Sequence, residues 1–217
     1  IFSNINELGG WNFYQTLVLY AFAKTILGIY GGWFKKGVQS IAQSMIRMGD
    51  LDFYLTKPIS ALFLVSANKP RIYTFINAIF SIALGIYAII KGGIHIGLLN
   101  FAWFLILAIF ALVLFYCLSV ITVIPAFWFT RLWALQNLTT RMSQFMRYPA
   151  TIFSPILRTA LFILFPILTI SYVPTAVLFG DSSWYLIPYM IVITCVFAII
   201  TRGFWKLGLK KHGSASS

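Results

Sequence analysis

Acid–base, nucleophilic or metal chemistry in this 217-residue chain would have to come from four carboxylates (Glu7, Asp50, Asp52, Asp181), two histidines (His95, His212) and two cysteines (Cys117, Cys195). None of them stands at the spacing that a metal site or a nucleophile–base pair requires. Cys117 and Cys195 each lie inside an apolar run, where a thiol behaves as a small buried hydrophobe, and two alone make neither a disulfide framework nor a metal cluster. His95 reads as a solvated loop residue. The stretch "GGWFKKG", Gly31 to Gly37, has glycines and lysines but neither the G-x-x-x-x-G-K-[ST] spacing nor the preceding strand of a phosphate loop. The expectation is a non-enzyme with no metal and no cofactor of its own.

The acids are concentrated instead. Asp50 and Asp52 are half of them, and both sit in "IRMGDLDFYLTKPIS", Ile46 to Ser60, the most polar stretch of an otherwise apolar chain. Just ahead, Val38, Ile41, Ala42 and Met45 recur at i, i+3, i+4 and i+7, with Gln39, Ser40, Gln43, Ser44 and Arg47 on other faces, which predicts a short amphipathic helix. Gly49 suits the left-handed residue that ends such a helix, Asp50 suits a cap for whatever follows, and Pro58 bars Lys57 from an easy helical continuation. One reading is an interfacial helix resting in headgroups, with Lys35 and Lys36 on anionic lipid. Two carboxylates gain nothing beside such a surface, which favours docking to another protein.

The elements that position this stretch follow from composition. With 60% hydrophobic, 18% aromatic and 9% charged residues, the chain cannot clothe a soluble surface. Five apolar segments, 11–34, 73–90, 101–129, 156–179 and 184–200, are each long enough to cross a hydrocarbon core of about 30 Å. Fourteen of the sixteen Lys and Arg residues fall in 35–72, in the third-to-fourth connection with Arg131, Arg141, Arg147 and Arg158, or in the tail. Five spans put these stretches on one side, the cytoplasm by the positive-inside rule, with Ser217 inside and Ile1 outside. The charge of +12 is then a topology signal, and nucleic acid is excluded as a partner. An outside start fits a further span ahead of Ile1, making six. The tryptophans near the span ends read as interfacial anchors to membrane lipid.

Two kinds of residue inside the spans invite function. Lys24 is the only base well within one, and a cation in lipid costs a few kcal/mol unless it snorkels, finds a neighbour or faces a wet cavity, so it is a candidate for the substrate path. Pro166 and Pro174 interrupt the fourth apolar run, where freed carbonyls need protein or water nearby.

Taken together, "IRMGDLDFYLTKPIS", the downstream "RYPATIFSPILRTALFILFPILTISYVPTAVLFG" and the closing "GLKKHGSASS" resemble, in order and spacing, the bacterial six-helix permeases of the ABC-2 superfamily. The resemblance covers nearly the whole chain from Trp11. It implies an all-α polytopic bundle, the permease subunit of a dimeric exporter in the bacterial inner membrane. A cytoplasmic partner ATPase would bind ATP and Mg. Within 35–72 it implies a coupling helix, about Val38 to Met48, followed by the Gly49 to Pro58 turn. There the apolar face docks on the ATPase, while Asp50 and Asp52 cap the turn and pair with basic groups. It also implies a re-entrant hairpin near the end, placed here at Pro174 to Pro188. The alternatives are an ATP-independent transporter or channel, which would call for intramembrane carboxylates that the sequence lacks, and a scaffold subunit of a membrane complex.

Overall fold

A computed structural model describes residues 7–41, 51–58, 60–129, 135, 138–180 and 184–213. The chain opens with a two-residue antiparallel hairpin, β1 (Glu7–Leu8) against β2 (Trp11–Asn12), turning at Gly9–Gly10. Helix α1 (Phe13–Trp33) starts where it does because Asn12 and Gln15 form a reciprocal capping box: the Gln15 amide donates to Asn12 Oδ1 at 2.9 Å, and the Asn12 amide to Gln15 Oε1 at 3.0 Å. Three short helices follow, α2 (Lys35–Ser40), α3 (Leu51–Leu55) and α4 (Ala61–Ala67). Helix α5 (Ile72–Lys91) then runs back along α1, pinned at its start by the Arg71 amide donating to the Gly32 carbonyl at 2.7 Å. The two helices meet closely at Gly28, where a Cβ would stand only 2.9 Å from the Ala78 backbone nitrogen. Small residues at such contacts let helix backbones approach in a medium without a hydrophobic effect between helices.

Helix α6 (Leu98–Val123) is the centre of the bundle and continues as a 3-10 turn to Phe127. Helix α7 (Leu138–Met142) and two 3-10 turns, Phe145–Arg147 and Ala150–Ile152, lead to α8 (Pro155–Ile163), α9 (Ile167–Leu178) and α10 (Leu186–Gly213). The main core unites α1, α6 and α9 around Leu19, Leu114, Leu118, Ile170 and Val173. Every residue of α9 except Tyr172 is buried, whereas most of α5 is exposed and apolar, including Ile72, Ile79 and Ile90.

Among the described residues, three helices are long and apolar enough to cross a membrane: Ile72–Lys91, Leu98–Phe127 and Leu186–Lys211. The bent pair α8 and α9 raises this to four if it counts as one span. Helix α1 has the length, about 31 Å at 1.5 Å per residue, but Gln15, Lys24 and three tyrosines dilute its apolarity.

The run 156–179, expected as a spanning segment interrupted at Pro166 and Pro174, is two helices meeting at 95°. The break is at Pro166, while Pro174 lies inside an unbroken α9, where it leaves the Ile170 carbonyl without its helical donor. Pro188 sits in the first turn of α10, where a proline costs nothing. The ends of this bent pair return to one place. Thr151 Oγ1 donates to the Gly9 carbonyl at 2.5 Å, and Phe179 packs edge-on against Trp11, with ring centroids 5.2 Å apart. Both ends therefore lie beside the N-terminal hairpin. Earlier in the chain, Thr139 bonds Thr122 near the far end of α6, so residues 139–151 carry the chain along the bundle toward that hairpin. Arg158, expected among the bases of the opposite end, instead lines a cavity of about 490 Å³ with Thr151, Tyr185 and Tyr189 at the hairpin end. The polarity of "LTTRMSQFMRYPAT" hid this passage from hydropathy.

Candidate functional site

At the other end, opposite the hairpin, α2 and α4 are welded into the bundle. Val38 and Ile41, expected to face a partner, are 1% and 0% exposed. They pack with Leu51, Leu62 and Val65 against Val120, Val123, Ile124 and Phe127 of the α6 end and Trp205 of α10. For Val38 and Ile41 that corrects the expected partner-facing surface: both close on the chain's own core. Gly37 makes the packing possible, since a Cβ there would stand 2.1 Å from the Ser66 carbonyl oxygen.

Helix α3 and its turn lie on the outside. Phe53 and Leu55 are 63% and 43% exposed, and Asp52, Lys57 and Pro58 are exposed beside them. The Lys57 ammonium lies 4.6 Å from the centre of the Phe53 ring. The other residues read as part of this element, Ala42, Met45, Arg47, Gly49 and Asp50, lie outside the described residues.

Between this end and the middle of the bundle is a cavity of about 620 Å³. Helical spacing builds its walls. Tyr20, Lys24, Leu27 and Gly31 recur at intervals of four, three and four along α1, and Lys35 continues the stripe. Tyr73, Asn77, Ser81 and Leu84 do the same on α5, and Phe115, Ser119 and Thr122 on α6. Thr139, Thr140, Ser143 and Arg147 close it from α7 and the turn after it. From Tyr20 to Lys35 the cavity extends about 22 Å along the helix direction.

The wall is polar and basic. Lys24, Lys35, Arg71 and Arg147 line it, and among the described residues no carboxylate does. Many of the hydroxyls already donate within the protein: Ser119 to the Phe115 carbonyl at 2.8 Å, Ser81 to Asn77 at 2.7 Å, and Thr122 to Ser119 at 2.8 Å. Because the Thr122 proton is so engaged, Thr139 donates in the 3.1 Å bond between them, tying α7 to α6. Lys24 Nζ lies 5.6 Å from the centre of the Tyr20 ring, and Arg71 Nη1 reaches the Tyr73 hydroxyl at 3.4 Å. The Nε of Arg147 is buried without a hydrogen-bond partner.

Lys24, singled out as a lone base in an apolar run, thus stands on a cavity wall. Asn77, Ser81, Ser119 and Thr122 escaped the sequence reading. Their signal was present as polar residues at helical spacing inside apolar segments, and it is weak because each hydroxyl can satisfy itself on its own helix. Arg147 counted only as a topology marker.

No curated protein and no solved structure matches the chain. The family model described as "ABC-2 family transporter protein" matches residues 1–216. With helices long and apolar enough to cross a membrane, the chain belongs to the ABC-2 family of transporter proteins as a membrane permease of ABC transport.

Proposed function

We propose that the chain is the permease of an ATP-driven exporter in the bacterial inner membrane, with the end carrying α2 to α4 and the tail of α10 in the cytoplasm. Helices α1, α5, α6 and α10 and the passage through 139–151 are its crossings, and α8–α9 re-enters from the outer side without crossing. ATP and Mg bind to a separate cytoplasmic ATPase, and two permease subunits enclose the route.

The observation that carries this reading is the two-sided character of the α2–α4 region. Its inner side is locked to α6 and α10 through Val38, Ile41, Leu62 and Val65, while α3 stands outside with Phe53, Leu55, Asp52 and Lys57 exposed. A lever must be rigid on the side that transmits force and free on the side that is pushed. Closure of the ATPase dimer displaces α3, and the shared core passes that displacement to the ends of α6 and α10, which tilt to switch access.

The test is affinity purification of the tagged chain from native membranes. An ATPase subunit should co-purify, and Phe53→Asp with Leu55→Asp should lose it while membrane insertion and monodispersity persist. Purification of the intact chain with no ATPase, or retention by the double variant, overturns the coupling role of α3.

A further inference from the structure

We infer that the 620 Å³ cavity is a binding site for an anionic amphiphile, a molecule with a phosphate-like or carboxylate-like head on an apolar body. This deepens the permease reading and rests on it, because it names the class of molecule that such a subunit would take up.

The inference starts from charge that no carboxylate on the described wall balances. Lys24, Lys35, Arg71 and Arg147 line one cavity, and no carboxylate faces them among the described residues. Bases at a cytoplasmic rim need no ligand, since they face water and acidic headgroups. Lys35 and Arg71 fit that account, but Lys24 and Arg147 do not. Lys24 is nine residues from the end of α1, about 14 Å, and eleven from its start, about 16 Å, farther in either direction than a lysine side chain snorkels. Its ammonium stands 5.6 Å from the centre of the Tyr20 ring, a contact worth about 1 kcal/mol or less unless desolvated. Arg147 keeps its Nε buried and unpartnered, a cost that a protein rarely carries without use.

The donors point the same way. With Ser81, Ser119 and Thr122 already donating to carbonyls, the donors that remain on the wall include the four bases and the side-chain amides of Gln39, Asn77 and Gln144. The lysines and arginines, which carry no acceptor, complete their bonding only on an acceptor, and with greatest gain on an anion. Leu27, Leu84 and Phe80 supply an apolar wall beside them, and Phe80 is 71% exposed on the flank of α5, so the cavity borders the apolar exterior. The volume lies in the range of sites that hold drug-sized ligands, which suits a single amphiphile.

Binding of dodecyl phosphate to the full chain in a non-ionic detergent, read by native mass spectrometry, tests this. Dodecyltrimethylammonium and inorganic phosphate serve as comparators. Dodecyl phosphate should fill one site per chain, with the other two binding at least about tenfold more weakly. Lys24→Gln and Arg147→Gln should each weaken it about tenfold, and Lys24→Arg and Arg147→Lys should restore it. Ser81→Glu, which places a carboxylate on the wall, should reverse the preference toward the ammonium probe and keeps the question open to refutation if the glutamine variants misfold. Retention of phosphatidylglycerol over phosphatidylcholine would assign the source of the anion to the bilayer, and its lack, with dodecyl phosphate bound, to a free amphiphile. Equal binding of the ammonium and phosphate probes, or unchanged affinity in folded Lys24→Gln and Arg147→Gln, overturns the inference. A chain that holds its ATPase but not dodecyl phosphate keeps the permease role and loses this assignment alone.

Discussion

Gly37→Ala isolates the packing on which the proposed lever depends. In α2, Gly37 lies against α4 so closely that a Cβ would meet the Ser66 carbonyl oxygen at 2.1 Å and the Val65 carbonyl oxygen at 2.5 Å. Those atoms are backbone, so no side-chain rotation relieves the clash. Helix α4 must retreat by about 1 Å, a gap that forfeits a quarter to a half of each dispersion contact it opens. The contacts at stake are Val38 and Ile41 on Leu62 and Val65. Overpacking of this kind costs about 1–3 kcal/mol, and a rigid obstacle argues for the upper end. Alanine returns about 1 kcal/mol of helix propensity over glycine, leaving a net loss of about 2 kcal/mol. For a chain of this size that corresponds to a Tm lower by about 4–8 °C. Gly203→Ala is the matched control, because nothing lies within 4 Å of its added Cβ in the interior of α10. The same chemical change there should leave Tm unchanged or raise it. Melting of the purified protein, followed by a thiol-reactive dye or by loss of the monodisperse elution peak, reads both. If Gly37→Ala melts with the parent and with Gly203→Ala, the α2–α4 contact is not the tight joint described.

Single cysteines in a background without Cys117 and Cys195 map the ends of the bundle: positions 10 and 158 should react with an impermeant maleimide from one side of the membrane, and position 57 from the other. Labelling of 158 together with 57 would refute the return of the α8–α9 pair to the hairpin end. Thr122→Val removes the acceptor of the buried Thr139 hydroxyl, bonded at 3.1 Å, and should cost about 1–2 kcal/mol in the same melting assay, while Thr122→Ser stays near the parent. Equal stability of the two would show that this bond does not hold α7 to α6.

Residue types alone determined that this is a membrane protein, because no arrangement of 9% charged residues covers a soluble surface of this size. They also marked Lys24 as an isolated cation and, through ordered short motifs, led to the family that the comparison then established. Tertiary structure decided what covers each apolar face. In water an apolar stripe points to the core; in a bilayer the outside is apolar too, so hydropathy does not separate a helix sealed inside from one facing lipid. Helix α9 and helix α5 read alike in sequence, yet the first is buried almost throughout and the second mostly exposed. The same ambiguity turned Val38 and Ile41 from an expected partner surface into core. The converse holds for residues 139–151, whose polar side chains concealed a passage along the bundle, because Thr139 finds its partner on α6, Thr151 finds its own on the N-terminal hairpin, and Arg147 lines a cavity that only folding creates.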